Sequence, residues 1–392
     1  MQYLFWISLA IVIYTYVGYG VVLYALVLLK RLLYKKTPTI TNQYTPSLTL
    51  IVAAYNEEAF IEAKIRNTLQ LNYPKNKIKY LFVTDGSTDA TPLLAAQFPE
   101  ITVMHQPERS GKIVAVHRAM QTVTSEIAVF TDANTFLNQD ALLKIARHYE
   151  DPSVGAVSGE KRVEIDATAD ATAGEGFYWK YESTLKKWDA ELYSVVGAAG
   201  ELFSVKTNLY QPVPNDTVLD DFMISMLIAQ KGYRIVYEPD AYASEQASAN
   251  VTEELKRKIR IAAGGIQSIV RLPKMANPFH HFVLWFQYMS HRVLRWTVTP
   301  FFMLITLFTN AILVFQQPNS FMHTSYLILF AAQIAFYTLA TLGALAAQKE
   351  IKIKILFIPY YFCLMNYAVL AGIHRYFWGN QSVLWDKAAR KQ

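Results

Sequence analysis

Asp85-Gly86-Ser87-Thr88-Asp89 closes the apolar run Tyr80–Thr84, and Thr131-Asp132-Ala133-Asn134 closes the apolar run Ile127–Phe130. Each run is a short strand of buried type that opens abruptly onto oxygen ligands. Carboxylates placed this way lie at the carboxyl edge of a sheet, which is where open α/β sheets bind ligands. Another acidic pair, Asp220-Asp221, precedes the apolar stretch Phe222–Leu227. Hard divalent cations prefer oxygen donors, and a cation can neutralise a departing diphosphate. Asp132 offers a carboxylate to such an ion and Asn134, two residues on, an amide oxygen. Asp85 is a candidate acceptor for hydrogen bonds from a base or ribose. Arg109-Ser110-Gly111-Lys112 brings cations for phosphate to a helix start. One carboxylate of Asp220-Asp221 is a candidate general base on an acceptor hydroxyl, a role typically worth ~10²–10⁴-fold.

Each motif also has a local explanation. Tyr55-Asn56-Glu57-Glu58 reads as a helix start with Asn56 as cap. Asp85–Asp89 reads as a tight turn, Thr131–Asn134 and Asp220-Asp221 as caps, and Arg109–Lys112 as a solvated basic turn. Lys256-Arg257-Lys258-Ile259-Arg260 is either a basic helix facing lipid headgroups or a cationic lid over a diphosphate. Three acidic or amide clusters in order, each at a predicted strand end, exceed what capping alone requires. The Gly197-Ala198-Ala199-Gly200 turn would let backbone approach an acceptor closely.

These residues need a frame, and the chain supplies one by alternation. Strands are expected at Ser47–Ala53, Lys79–Thr84, Ile101–His105 and Ile127–Thr131. Helices are expected at Glu57–Leu69, Thr88–Gln97, Gly111–Met120 and Gln139–His148. This spacing predicts an α/β domain with a parallel sheet covered on both faces. A strand near Val154–Val163, a helix near Glu175–Glu191, a helix at Asp221–Lys231 and a strand at Arg234–Tyr237 follow. Pro38–Pro46 reads as a polar linker.

Hydrophobic residues make up 53% of the 392, and the excess lies at the two ends. Leu4–Leu29 has no charge and would reach about 39 Å as a helix, longer than the roughly 30 Å hydrocarbon core. Lys30, Arg31, Lys35 and Lys36 follow it, which places the middle of the chain in the cytosol. Three more spans are expected at Val298–Phe315, Tyr326–Ala347 and Ile355–Ile373, with a charged loop at Gln348–Lys354. Phe279–Met289 suits a helix in the interface, with Arg292 and Arg295 snorkelling to headgroups. Four spans would leave the basic tail (Arg375, Lys387, Arg390, Lys391) outside, against the usual charge bias. Either a segment near Pro359 is re-entrant or the tail is an exception. The net charge of +6 is read as an attraction to membrane lipids, with no nucleic acid as partner. The lone Cys363 excludes an intrachain disulfide and a cysteine-based zinc site. No Gly-x-Gly-x-x-Gly follows a strand, and no complete P-loop, Gly-x-Ser-x-Gly or His-Glu-x-x-His occurs.

Tyr55-Asn56-Glu57, Asp85-Gly86-Ser87, Thr131–Asn134, Gly197–Gly200, Leu219-Asp220-Asp221 and Arg257–Arg260 fall in an order that resembles membrane-embedded family-2 inverting glycosyltransferases. Cellulose, hyaluronan and poly-N-acetylglucosamine synthases belong to that group. The resemblance covers residues 45–275. It implies a GT-A fold, a UDP-sugar donor, Mg2+ or Mn2+, a lipid-linked or polysaccharide acceptor, accessory export proteins, and inversion at the anomeric carbon. It implies donor contacts at Tyr55, Asn56, Glu57, Asp85, Lys112, Asp132, Arg257 and Arg260, and acceptor contacts at Gly197, Ala198, Ala199 and Gly200. It puts the metal at Asp132 and Asn134 and the base at Asp221, with Asp220 as fallback. The expected organisation is a membrane helix at 1–30, a linker at 31–46, a GT-A domain at 47–275, an interfacial helix at 276–292, three spans at 293–377 and a polar tail at 378–392. The whole is expected in the inner (plasma) membrane with its catalytic domain cytosolic. Three departures stand out. The family's Asp-x-Asp ends in Asn134, its Thr-Glu-Asp is Leu219-Asp220-Asp221, and Ile261 replaces the tryptophan of Gln-x-x-Arg-Trp, which argues against processive synthesis. A processive polysaccharide synthase and a non-catalytic scaffold with a degenerate nucleotide-sugar fold are the alternatives.

Overall fold

The first strand, β1 (Leu48–Ala54), is buried along its whole length, as expected of a strand covered on both faces. It pairs in parallel with β2 (Ile78–Asp85) and β4 (Ile127–Asp132), and β2 pairs in parallel with β3 (Ile101–Gln106). Side chains alternate: Leu50, Val52, Tyr80 and Phe82 enter one core, while Ile51, Leu81 and Val83 enter the other. The helix Glu58–Leu69 closes the first core through Ile61 and Ile65. The helices Lys112–Met120 and Asp220–Gln230 close the second through Ile113, Val116, Met223 and Met226. This computed structural model describes residues 1–34, 44–164, 172–246, 251–316, 322–348 and 353–379. Most of the expected linker, most of the charged loop at 348–354 and all but the start of the polar tail lie outside those residues.

The sheet is mostly parallel, as expected, and its second half is mixed. The remaining strands are β5 (Phe136–Leu137), β6 (Val154–Glu164), β7 (Leu202–Lys206) and β8 (Arg234–Gln246), and the sheet order is β3-β2-β1-β4-β7-β6-β8-β5. β7 runs antiparallel to both β4 and β6, β5 runs antiparallel to β8, and β6 and β8 are parallel. β7 sits directly behind the Gly197–Gly200 turn, where its short apolar run reads as part of the turn. β5 is too short for any period to show. The expected helix at Thr88–Gln97 contracts to Thr91–Ala95. The expected strand at Arg234–Tyr237 continues through Gln246.

Among the described residues four helices are long and apolar enough to cross a membrane: Gln2–Leu33, Thr299–Gln316, His323–Gln348 and Ile355–Trp378. At about 1.5 Å per residue the first spans roughly 48 Å, so it cannot lie wholly in hydrocarbon. Its second half docks on the catalytic-domain helix Thr172–Leu192: Tyr19 and Leu23 are buried against Leu185. Arg31 grips Glu191 at 2.6 Å, and Lys30 donates to the carbonyls of Glu191 and Leu192 at 2.6 and 3.0 Å.

The snorkelling expected of Arg292 and Arg295 needs correcting as well. The helix Phe282–Tyr288 exposes Phe282 but buries Leu284, Gln287 and Tyr288 against the domain. Arg292 and Arg295 do not reach for headgroups. Both bind the buried Glu182, at 2.9 and 2.8 Å. A buried carboxylate without partners would be costly, so it captures the nearest guanidinium groups.

Candidate active site

The loops that end β1 and β2 are zipped together. Asn56 adopts a left-handed backbone (φ 53°), and its Oδ1 accepts the Thr88 N–H at 2.8 Å. Glu58 N–H donates to Asp89 at 3.1 Å, and Glu57 N–H donates to the Thr91 hydroxyl at 2.8 Å. Asn56 therefore ties two loops together and is not the cap of the helix Glu58–Leu69, whose N-cap position is Glu57. Tyr55, by contrast, lines a cleft together with Asp85, Arg109, Gly111 and Lys112. The Arg109 guanidinium stacks 3.9 Å from the Tyr55 ring centre, forming a flat wall of the kind that suits a base. Asp85 has a divided role. Its Oδ2 accepts the backbone N–H groups of Ser110 and Gly111 at 2.9 and 2.7 Å, the capping role. Its Oδ1 is buried without a hydrogen bond, 3.9 Å from Arg118. An orphaned acceptor at a cleft wall can take a donor from a ligand.

Lys112 joins this cleft to the second acidic cluster. Its ammonium lies 2.7 Å from Asp132 Oδ1. Burial alone would lower its pKa, but Asp132, Asp220 and Asp221 outweigh burial and raise it. All four groups therefore share one electrostatic environment. Asn134 Oδ1 is buried with no hydrogen-bond partner, which is the state expected of a ligand atom awaiting a cation. Asp132 and Asn134 together fit a hard dication. Among the described residues no group of three His, Cys, Asp or Glu could hold a metal unaided. Substrate oxygens and water would complete the shell. Behind this loop the fully buried Lys64 donates to the Thr135 carbonyl at 2.6 Å and to the Thr131 hydroxyl at 3.1 Å. Burial lowers its pKa to about 7, partly opposed by Asp132.

Asp220 and Asp221 open the helix Asp220–Gln230 beneath the Gly197–Gly200 turn. Burial and the neighbouring Asp220 push Asp221 up to about 7, against the pull of Lys112. A Cβ on Gly200 would sit 3.0 Å from the Asp221 carboxylate, so only glycine leaves that carboxylate open. Gly197 has φ +83°, and a Cβ there would enter the Phe222 ring. Ala198 N–H and Ala199 N–H are held by the hydroxyls of Ser225 and Ser158 at 3.0 and 3.1 Å. The turn is thus fixed to the same helix end that carries the candidate base.

The basic segment divides in two. Within the helix Val251–Arg271, Arg257 forms a two-pronged pair with Glu254 (3.0 Å each) and lies 4.0 Å from Glu245. Arg260 is the cation whose field reaches Asp220 and Asp132. Sequence reasoning missed Lys64 and the Lys161–Glu201 pair (2.6 Å), which borders the glycine turn. Burial would raise the Glu201 pKa, but Lys161 and then Arg257 bring it down to about 2. A lysine within an amphipathic helix carries no signal that it will be buried, and Glu201 follows a turn whose next strand was not legible.

The mixed eight-stranded sheet with helices on both faces is a GT-A-like fold. Residues 49–212 match the family model described as glycosyl transferase family 2, and the chain carries a domain of that family. It is similar to the poly-beta-1,6-N-acetyl-D-glucosamine synthase of Staphylococcus aureus, with 26% identity over 243 residues, 60% of this chain. The match spans 58% of that relative's length. Over 166 residues, 40% of this chain and 34% of the relative, it is 30% identical to a beta-monoglucosyldiacylglycerol synthase of Nostoc. In three dimensions it resembles a mannosyltransferase from Pyrobaculum calidifontis solved with GDP-Man and Mn2+. The TM-score is 0.69 at 25% identity, covering 96% of this chain and 99% of that one.

Proposed function

We propose that the protein is a membrane-bound inverting glycosyltransferase. It moves a sugar from a nucleoside-diphosphate donor to a lipid-linked or polysaccharide acceptor at the cytosolic face of the plasma membrane. The observation that carries this reading is the position of Lys112, which lines the Asp85 cleft while bonded to Asp132 and coupled to Asp220 and Asp221. Three segments far apart in sequence thus face one space. In this reading the base and ribose lie against Tyr55, Arg109 and Asp85, and Lys112 and Arg260 face the phosphates. Asp221 accepts the proton of the acceptor hydroxyl as its oxygen attacks the anomeric carbon. The bond from that carbon to the diphosphate breaks on the opposite face, and the configuration inverts. A divalent ion at Asp132 and Asn134 would supply charge neutralisation for the leaving diphosphate. Mn2+ or Mg2+ both suit these oxygens.

The relatives and the structural neighbour use different sugars, so the donor is open between uridine and guanosine families. The test is a panel of UDP- and GDP-sugars with the full-length protein in membranes, with Mn2+ or Mg2+, read by mass analysis of the products. Transfer of one or more hexosyl units with release of the nucleoside diphosphate is expected. A protein that neither binds nor cleaves any donor would be a scaffold, and long products would make it a processive synthase.

A further inference from the structure

The last apolar helix, Lys354–Trp378, behaves unlike a simple span. Asn366 accepts the Tyr16 hydroxyl at 2.5 Å, and the Tyr16 carbonyl accepts the hydroxyl of Tyr181, a residue of the catalytic domain. Six residues on, Gly372 is pressed against Ala262 and Ala263. A Cβ at 372 would lie 2.6 Å from the Ala262 Cβ, so the two backbones touch. Trp296, just ahead of the second span, packs on Gly265 of the same catalytic-domain helix. The last helix therefore runs antiparallel to the helix Val251–Arg271 and follows it toward its N-terminal half. Residues 355–366 are what remains for lipid, and they reach about 18 Å, against a hydrocarbon core of roughly 30 Å.

This path fixes the position of Arg375. It lies one turn beyond Gly372, as Arg260 lies just before Ala262, so the helix contact brings the two arginines to neighbouring positions. Burial first, and then the charges of Arg257 and Arg375, depress Arg260, while Asp220 and Asp132 work the other way. Among the described residues neither the Arg260 nor the Arg375 side chain makes a hydrogen bond or an ion pair. Two half-buried guanidinium groups repel each other unless an anion lies between them, and two such forks match phosphate oxygens.

We propose that Arg375 and Arg260 form a phosphate-binding subsite at the seam between the catalytic domain and the last apolar helix, which turns back onto that domain instead of crossing the bilayer. The phosphate belongs to a substrate: the donor's diphosphate or the phosphate of a lipid acceptor. This places Arg375 on the catalytic side, in keeping with the charge bias. The proposal rests on the glycosyltransferase reading for its ligand but not for its geometry.

The test uses full-length protein in nanodiscs with Mn2+ and measures direct binding of UDP, GDP and a polyprenyl phosphate to wild type, Arg375→Ala and Arg375→Lys. Arg375→Ala should weaken at least one of them about tenfold, and Arg375→Lys should recover part of the loss. Loss on a nucleoside diphosphate assigns the subsite to the donor, and loss on the lipid assigns it to the acceptor. Unchanged affinities, absent wild-type binding of all three, or equal loss in both variants would overturn it. In a Cys363→Ser background, Gln392→Cys should react with an impermeant maleimide from the same side as Leu93→Cys, on the exposed face of the catalytic domain. Labelling from opposite sides would overturn the path of the helix. None of these readouts needs sugar transfer. An inactive protein whose phosphate binding depends on Arg375 would refute the proposed function alone, and active transfer indifferent to Arg375 would refute the subsite alone.

Discussion

Replacing Asp221 by Asn tests whether the poised carboxylate is a base or a strut. Its pKa stands at about 7 against an ordinary 3.8, because burial and Asp220 disfavour its charge. A base near neutrality is strong enough to take a hydroxyl proton and still half-ionised at pH 7. Wild-type kcat/KM should therefore rise with pH through about 7, and Asp221→Asn should lose that limb and lower kcat by ~10²–10⁴-fold. Binding of UDP or GDP with Mn2+ should stay within about threefold, since the amide keeps the shape and loses only proton affinity. Stability gives an independent check with a definite sign. A folded pKa above the unfolded one means that the native state holds the extra proton. Asp221 therefore erodes stability as pH rises from 3.8 through about 7. At 1.36 kcal/mol per unit the upper limit is ~4 kcal/mol, reduced by solvent and any bound cation. The Asn variant lacks this decline and should melt above wild type at pH 8. An Asp221→Asn protein that melts lower at pH 8 and loses nucleotide binding in step with turnover would show that the carboxylate is structural.

The other perturbations probe the donor side. Asn134→Asp converts an orphaned amide into a second carboxylate and should lower the Mn2+ concentration for half-maximal activity several-fold; no change in a metal titration would remove Asn134 from the metal site. Arg260→Ala should weaken nucleoside-diphosphate binding by tenfold or more, and Arg257→Ala by less than threefold, because Arg257 is already held by Glu254; calorimetry that reverses this order would refute the division. Lys64→Met should flatten the pH dependence of stability. With a pKa lowered by burial from 10.5 to about 7, wild-type Lys64 makes stability rise between those values, by about 2–3 kcal/mol from pH 7 to 9. Melting curves at the two pH values read the difference.

Much of the frame was legible because it repeats. The strands through β4 are apolar runs bounded by turn residues, and their carboxyl-end acids had no equally good local use at three places in order. Asp85 shows the limit of that logic, since one of its oxygens is a cap and the other faces the cleft. The capping reading accounts for one oxygen of this side chain and leaves the other open to a ligand. What could not be read depended on tertiary partners. Nothing in Arg257-Lys258-Ile259-Arg260 says which arginine meets Glu254 and which meets the acids of the sheet edge. Nor does an apolar helix with Arg near its end reveal that it lies against Ala262. β7 was hidden because a strand of five residues after a glycine turn has too few periods to count.

The membrane helices do more than anchor the domain. The Tyr19 hydroxyl, on the first helix, bonds Asp189, and His291 lies between Asp189 at 2.6 Å and Glu182 at 3.1 Å. Burial would raise the Glu182 pKa, but His291, Arg292 and Arg295 hold it well below the usual carboxylate range. Arg292, fixed by Glu182, also donates to the Val196 carbonyl at 3.3 Å, the residue before the glycine turn over Asp221. One chain of buried contacts thus runs from the first apolar helix to the acceptor side of the site. The carboxylates and guanidinium groups among these links cannot be left unpaired in the interior without a penalty of several kcal/mol. The geometry of the turn is therefore set by where the first helix sits, and a domain excised from that helix would lose the partner that aligns the Gly197–Gly200 turn.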